Sequence, residues 1–268
     1  MSKIDDQQYL RTQQYNTASK LNDRVALHAR FSTNAYGWQR WMFEQLALPP
    51  TAQVLEVGCG PGWLWFENRQ RIPPGWQITL ADFSAGMLAE ARHNLAGLTQ
   101  IAFEQADAQQ LPFADAAFDA VIANHMLYHV PDRPRALAEL RRVLRPGGRF
   151  YAATNGSAHM RELRELVQRV DPRLAAWGSA EPRDFTLENG AAQLAPWFGP
   201  AELRRYPDGL RVAEAEPLVA FVLSMHVAEH ASPQLRAQLL RYVEQAIQAG
   251  GPIHISKDAG LFLASAPS

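Results

Sequence analysis

The chain holds one cysteine, Cys59, in 268 residues. That excludes an internal disulfide framework and fits a reducing compartment. It has no surplus of charge of either sign, since 26 Lys and Arg against 27 Asp and Glu give a formal net charge of −1. Nucleic-acid-binding domains are as a rule clearly basic, and no stripe of aromatic and basic residues is present. A nucleic-acid partner is therefore not expected. No apolar run is long enough to span a bilayer, so no membrane insertion is expected. Met1 to Gln14 is polar without a signal-peptide core, which points to the cytoplasm. Internal repeats and low-complexity tracts are absent. What remains, 47% hydrophobic and 20% charged residues, suits one soluble α/β domain with an insertion or a small lid.

The segment with most to say is Val54-Leu55-Glu56-Val57-Gly58-Cys59-Gly60-Pro61-Gly62. Val54, Leu55 and Val57 read as a parallel strand buried on both faces. Three alternate glycines then remove β-carbons where chain and ligand approach closely. Amide groups of the turn and of the following helix start face whatever binds there. Dinucleotides, nucleotide phosphates and S-adenosylmethionine are all held by spaced-glycine loops. Here the spacing is G-x-G-x-G, not the G-x-G-x-x-G of dinucleotide sites, and no lysine follows as in a phosphate loop. Glu56 beside the loop repels phosphate and suits a cation, such as the ammonium and sulfonium of S-adenosylmethionine. Cys59 reads as a small filler within the loop; a reactive thiol would want an activating base nearby.

Around this loop the pattern predicts an α/β chain. Amphipathic helices are expected between residues 5 and 30, with Tyr9, Tyr15 and Leu27 among their apolar positions, and over Trp38–Leu46. Strands are expected at Val54–Val57, Gln77–Ala81, Ile101–Gln105, Ala117–Ala123 and Arg149–Thr154. Helices fall between them at Trp63–Arg71, Ser84–Leu95, capped by Ser84, and Arg133–Leu144. Arg145-Pro146-Gly147-Gly148 reads as a stop and turn. The alternation of strand and helix implies a doubly wound parallel sheet, whose ligands sit at the carboxyl ends of the strands. The glycine loop, Asp82, Asp107 and Asn124 all fall at those ends. Beyond residue 156, helices are expected at His159–Val170, Asn189–Trp197, Ala215–His230 and Pro233–Ala249, with a sixth strand at Ala201–Tyr206. A terminal strand or hairpin around Lys257–Gly260 completes the reading. The helices in 156–185 and 214–249 look like insertions that form a lid. Trp177, Phe185, Trp197, Phe221 and Met225 line an apolar pocket there or, as the plainer reading, belong to ordinary core. His226, Glu229 and His230 lie at helical metal-ligand spacing but lack a third partner, so no metal is expected.

Several motifs in one order resemble the class I S-adenosylmethionine-dependent methyltransferases, in a small-molecule branch like the quinone-biosynthesis enzymes. They are Glu56-x-Gly58-x-Gly60-x-Gly62, Asp82, Asp107-Ala108 before Leu111-Pro112-Phe113, Phe118-Asp119-Ala120-Val121-Ile122, and Leu140-Arg141-Arg142-Val143-Leu144-Arg145-Pro146-Gly147-Gly148. The resemblance covers roughly residues 50 to 155 and implies a mostly parallel seven-stranded Rossmann-like sheet. It divides the chain into an N-terminal helical cap (1–48), a cofactor-binding core (49–155) and a remainder with lid helices (156–268). By resemblance, Gly58, Cys59, Gly60 and Gly62 contact the methionine part of S-adenosylmethionine, and Glu56 supports the loop or the ammonium group. Asp82 takes both ribose hydroxyls, which a carboxylate can do bidentately. Phe83 and Met87 flank the adenine, while Asp107 and the Ala108 amide meet its edge. Asn124 and His125 adjoin the methionine end and open the acceptor site, with His129 supporting that loop. Tyr15 covers the cofactor and Arg30 meets its carboxylate.

The implied activity is methyl transfer to an O, N or C nucleophile of a small organic metabolite. Alignment of the two reactants supplies most of the catalysis, and His125 is the candidate general base. Two alternatives stay open at this point. One is an S-adenosylmethionine-binding protein with a non-methylating or regulatory role. The other is a nicotinamide-dependent dehydrogenase.

Overall fold

A computed structural model describes residues 19–176, 185–225, 228 and 231–267. Tyr9, Tyr15, Trp177, His226, Glu229 and His230 lie outside the described residues, and so do the expectations that rest on them. Two helices come first, α1 (Ser19–Phe31) and α2 (Trp38–Glu44). Then β1 (Gln53–Val57), α3 (Trp63–Asn68), β2 (Gln77–Asp82), α4 (Ala85–Asn94), β3 (Ile101–Gln105) and β4 (Phe118–Asn124) alternate. After a short 3₁₀ turn (Leu127–His129) come α5 (Arg133–Val143) and β5 (Leu144–Asn155). The remainder is α6 (Arg161–Val170), α7 (Gly190–Phe198), β6 (Glu202–Val212), α8 (Ala215–Leu223), α9 (Pro233–Gly250) and β7 (Ile253–Ser265).

The sheet has seven strands in the order β3-β2-β1-β4-β5-β7-β6. β1 to β5 pair in parallel, and β7 runs antiparallel between β5 and β6. Side chains alternate across the central strands, so each strand feeds two cores. Leu55, Val57, Val121, Phe150 and Phe262 pack beneath α5 and α7. Val54, Ile122, Tyr151 and Leu261 pack on the opposite face with Met42, Trp65 and Trp76. Caps stand where their side chains imply them. Ser84 accepts from the Met87 amide at 3.3 Å, and Asp132 from the Arg135 amide at 3.1 Å.

The sequence motif at 140–148 acts as a clasp. Arg142 donates to Glu139, to Asp115 and to the carbonyls of Phe113 and Leu111, fastening the loop that follows β3 onto α5. Arg145 pairs with Asp119, whose other oxygen accepts the Gln53 amide at 2.8 Å.

One expectation needs correction. The helix does stop, at Val143, but residues 145–148 form no separate turn before β5; the strand starts at Leu144 and absorbs them. The register shifts between Phe118 and Ala120, and the Gly147 amide donates to Ala266. Of the two readings open for the C-terminal segment, a terminal strand or a hairpin around Lys257–Gly260, the structure shows the strand. It is one strand, because β6 pairs with it over residues 253–263 and β5 over 259–265.

That last strand extends the sheet on one side. Asn155 at the end of β5 pairs with Ala259, so residues 253–258 of β7 run on past the carboxyl edge of the parallel strands. Residues 207–212 of β6 run with them. A third core forms on this overhang: Leu27 and Phe31 from α1, Leu163 and Val167 from α6, Leu218 and Phe221 from α8, Leu239 and Val243 from α9, with Leu210, Val212 and Ile255 of the ribbon.

Candidate active site

The site begins where β1 ends. The Gly58 and Cys59 amides both donate to the Ala81 carbonyl, at 2.8 and 3.1 Å, tying the loop to β2. Gly60 has φ +53°, and a β-carbon there would meet nothing within 4 Å, so its open side faces free space. Gly62 is the left-handed cap of α3, and a β-carbon on it would lie 2.7 Å from Leu95 Cδ1. Gly60 is thus the position whose missing side chain leaves room for a ligand, while Gly62 serves packing. Cys59 is buried, and burial pushes its thiol well above the ordinary range. It is a filler, not a nucleophile.

Asp82 closes the loop from the next strand. One carboxylate oxygen accepts the Gly60 amide at 2.9 Å and the other the Ser84 amide at 2.8 Å. Burial raises its pKa, and these amides work the other way. Glu56 lies behind the loop and is 2% exposed. Burial pushes it up to about 8, against the hydrogen bond it accepts from Trp65 Nε1 at 2.6 Å. Glu56 therefore holds its proton at neutral pH until a cation offsets the cost of charge. At the end of β3, Asp107 accepts the Gln109 amide at 2.9 Å, and Ala108 is buried beside it. Met87 is buried on α4, and Phe83 lies half-buried between Asp82 and Ser84.

At the end of β4, Asn124 accepts from Trp38 Nε1 at 3.2 Å, so α2 roofs this edge. His125 follows with φ +56°, an uncommon angle for a residue with a β-carbon, and its amide donates to Ala153. Such strain, ~1 kcal/mol, gathers at functional sites. The imidazole lies against Trp38, its ring tilted 55° to the indole with centroids 4.9 Å apart. Burial, with Lys257 assisting, lowers its pKa to about 4, so it is neutral and weakly basic. His129 ends the 3₁₀ turn with its ring against Tyr128, 4.5 Å between centroids.

The structure thus brings Glu56, Gly58, Gly60, Gly62, Asp82, Asp107, Ala108, Asn124 and His125 to the ends of adjacent parallel strands. Arg30 is engaged elsewhere, by Glu214 at 2.6 and 2.8 Å in an exposed pair. Phe185 and Phe221 are core residues, and Trp197 packs against the core, as the plainer reading had it. Sequence reasoning passed over Trp38, Tyr206, Asp208 and Lys257, which gather at this edge only through the β6–β7 ribbon. The hydroxyl of Tyr206 is buried, and its ring lies 5.5 Å from that of Trp38. Among the described residues no cluster of His, Cys, Asp and Glu is arranged to hold a metal, and no helix is long and apolar enough to cross a membrane.

The donor set fits one kind of ligand. An open glycine cradle flanked by two acidic side chains suits a group that is cationic at one end and carries hydroxyls at the other. Comparison with known proteins gives the same answer. A methyltransferase-domain family matches residues 55–152. A malonyl-[acyl-carrier protein] O-methyltransferase of Pseudescherichia vulneris is 33% identical over 195 residues, covering 71% of this chain and 72% of the relative. A ubiquinone/menaquinone biosynthesis C-methyltransferase of Desulfotalea psychrophila is 40% identical over 112 residues, where the match spans 45% of its length. Among solved structures, a putative methyltransferase from Bacillus halodurans superposes with a TM-score of 0.60 at 17% identity, over 86% of this chain and 99% of that one. A phosphoethanolamine N-methyltransferase from Haemonchus contortus, in complex with S-adenosyl-L-methionine, gives 0.59 at 16% identity, over 100% of this chain and 61% of that one. These two show the shared fold.

The chain belongs to the class I S-adenosylmethionine-dependent methyltransferases. It is an enzyme whose methyl donor is S-adenosylmethionine, and the dehydrogenase alternative falls.

Proposed function

We propose that the protein methylates an O, N or C nucleophile of a small organic acceptor held beneath the cap at the ends of β4 and β5. The observation that carries this reading is the overhang. Residues 207–212 and 253–258, with α1, α6, α8 and α9 packed on them, run past the carboxyl edge of β5, and Tyr206 at their base meets Trp38, which bonds Asn124 at the end of β4. An edge flanked in this way admits a compact molecule more readily than the side of a polymer. The relatives' names point the same way but differ in the atom methylated.

In this reading the loop Gly58–Gly62 cradles the methionine part of the donor, Glu56 faces its ammonium side, and Asp82 accepts from the ribose hydroxyls. Asp107 and Ala108, with Phe83 and Met87 near them, border the adenine. Asn124 and His125 stand between donor and acceptor. When bound, the donor supplies a methyl group on sulfur; the acceptor's electron pair forms the new bond while the old carbon–sulfur pair stays on a neutral thioether. The protein's task is then to align two reactants and exclude water.

The test is incubation of the purified chain with methyl-deuterated S-adenosylmethionine and a bacterial metabolite extract, followed by mass spectrometry. Small products heavier by one labelled methyl are expected. Label found only in macromolecules would overturn the small-acceptor reading. Consumption of the donor without methyl transfer would favour a non-methylating role.

A further inference from the structure

Three histidines feel the charge of Lys257 at this end of the sheet. They are His28 on α1, His125 after β4 and His159 after β5. Tyr206 and Lys257 on the ribbon stand with them. Lys257 Nζ is 5.9 Å from the Tyr206 ring centroid, and His159 Nδ1 accepts the Asp258 amide at 3.2 Å. Trp38 links His125 to Tyr206, with Trp41 5.2 Å from the Tyr206 ring.

Five buried side-chain polar atoms among the described residues lack a hydrogen-bond partner, and three of them are here. They are Nδ1 of His28, Nδ1 of His125 and the hydroxyl of Tyr206, which only the Gly37 backbone amide approaches and whose own hydrogen has no acceptor. Folded chains leave few such atoms, because an unpaired buried donor costs about 1–3 kcal/mol. Three at one edge call for a ligand that satisfies them. A neutral imidazole carries hydrogen on either nitrogen and a phenol donates freely, so each of the three can serve as a hydrogen-bond donor.

The local charge selects its sign. Lys257 bears on all three imidazoles, and Arg164 adds to it at His159. The carboxylate that bears on His28, Asp208, is fully enclosed. It accepts from Lys257, the Ser32 hydroxyl, the Asn34 amide at 3.0 Å and its own-strand Gly209 amide at 2.8 Å. The indoles of Trp38 and Trp41, 5.1 Å apart and tilted 40° to each other, add aromatic surface beside Tyr206.

We propose that His28, His125 and Tyr206, with Lys257 beside them, form the acceptor subsite, and that it takes a small planar acid whose anionic oxygen completes the orphaned hydrogen bonds. This rests on the small-acceptor reading above and names its chemical class. An acceptor that arrives as the oxyanion has no proton to lose. Its lone pair forms the bond to the methyl carbon as the carbon–sulfur pair returns to sulfur, and no side chain has to act as a base. His125 is then a hydrogen-bond donor, a role that suits an imidazole of low basicity.

The test uses the full chain saturated with S-adenosylhomocysteine, titrated calorimetrically with benzoate and, separately, with benzylamine. Benzoate binds and benzylamine does not. Tyr206→Phe and His28→Gln each weaken benzoate about tenfold, the loss of one hydrogen bond to a charged group, and leave the S-adenosylhomocysteine affinity unchanged. Benzylamine binding as tightly as benzoate, or both variants binding benzoate like the parent, overturns the proposal. So does a loaded protein that ignores benzoate, which leaves methyl transfer itself untouched. A parent chain that fails to bind S-adenosylhomocysteine removes both readings at once.

Discussion

Trp65 donates its indole hydrogen to Glu56 across 2.6 Å, in a core where the tryptophan is fully buried. The bond fixes the carboxyl group behind the glycine loop. It does not make that group comfortable as an anion, since burial still raises its pKa from 4.5 to about 8. Between those two values the folded state keeps a proton that the unfolded chain has lost. Stability of the ligand-free protein is therefore full below pH 4.5 and declines as pH rises through 8. Glu56→Gln retains an acceptor for Trp65 and removes the ionisation. Urea denaturation at pH 6 and pH 8.5 should show the parent losing stability across this interval and the variant losing less. The same variant should bind S-adenosylmethionine more weakly, since the donor's cation no longer meets a carboxylate. A variant with parent-like pH dependence would mean that Glu56 is already ionised.

Gly60 and Gly62 differ in what they make room for, and alanine separates them. At Gly60 the added methyl enters open space, at a backbone angle that costs ~1 kcal/mol. Gly60→Ala should fold and lose most of its cofactor affinity. At Gly62 the methyl meets Leu95 at 2.7 Å in addition to that strain, so Gly62→Ala should lower stability by ~2–4 kcal/mol. Thermal melts with and without S-adenosylhomocysteine check both. A Gly60→Ala protein whose melting point still rises normally with ligand would remove Gly60 from the cradle.

The contrast between the cofactor side and the acceptor side also explains what could be read in advance. Glu56, Gly60, Asp82 and Asp107 each stand at the end of a short apolar strand whose pattern is local, so the sequence places them without any tertiary information. The acceptor side has no such local signature. Lys257 reads as the tip of a hairpin, because Asp258-Ala259-Gly260 looks like a turn. It becomes mid-strand only when β6 pairs with it, Asp208 opposite Lys257, beyond the last residue that β5 pairs. Its partner Asp208 lies 49 residues away and sits among polar and charged residues that read as a loop. His28 shows nothing in sequence except a place on an amphipathic helix. Arg30 is the converse case, since its charge suggests a ligand and the fold supplies Glu214.

The three histidines beneath the cap give the protein an acid-sensitive edge. Burial lowers His28 from 6.5 to about 3 and His125 to about 4, and holds His159 well below its ordinary value. The unfolded chain takes up these protons near pH 6.5, whereas the folded chain refuses them until the pH is far lower. Stability should therefore fall as pH drops below 6.5, by up to about 1.4 kcal/mol per pH unit for each histidine. His28→Gln removes one such group. Denaturation at pH 7 and pH 5 should show a smaller loss for the variant than for the parent. Equal losses would mean that His28 is protonated in the folded state.

Lys257 and Asp208 face each other across the β6–β7 register, with side chains 10% and 0% exposed. An ion pair this enclosed is a poor source of net stability, because desolvation consumes most of the attraction. Its removal by halves is another matter. Lys257→Met leaves Asp208 ionised with the Ser32 hydroxyl and two amides to hold it, and should cost ~3–5 kcal/mol. Replacing both, Lys257→Met with Asp208→Leu, removes the stranded charge and should recover part of that loss. The recovery cannot be complete, because Asp208 also accepts from Ser32 and from the Asn34 amide, which tie the segment after α1 to the ribbon. A double variant that is less stable than Lys257→Met alone would show that Asp208 works chiefly as this tether and only secondarily as a counter-ion. The single variant should also shift acceptor binding while sparing the donor, since Lys257 is the cation common to all three imidazoles. Calorimetry with S-adenosylhomocysteine first and benzoate second separates the two effects. Equal loss of both ligands would mean that the ribbon itself had moved.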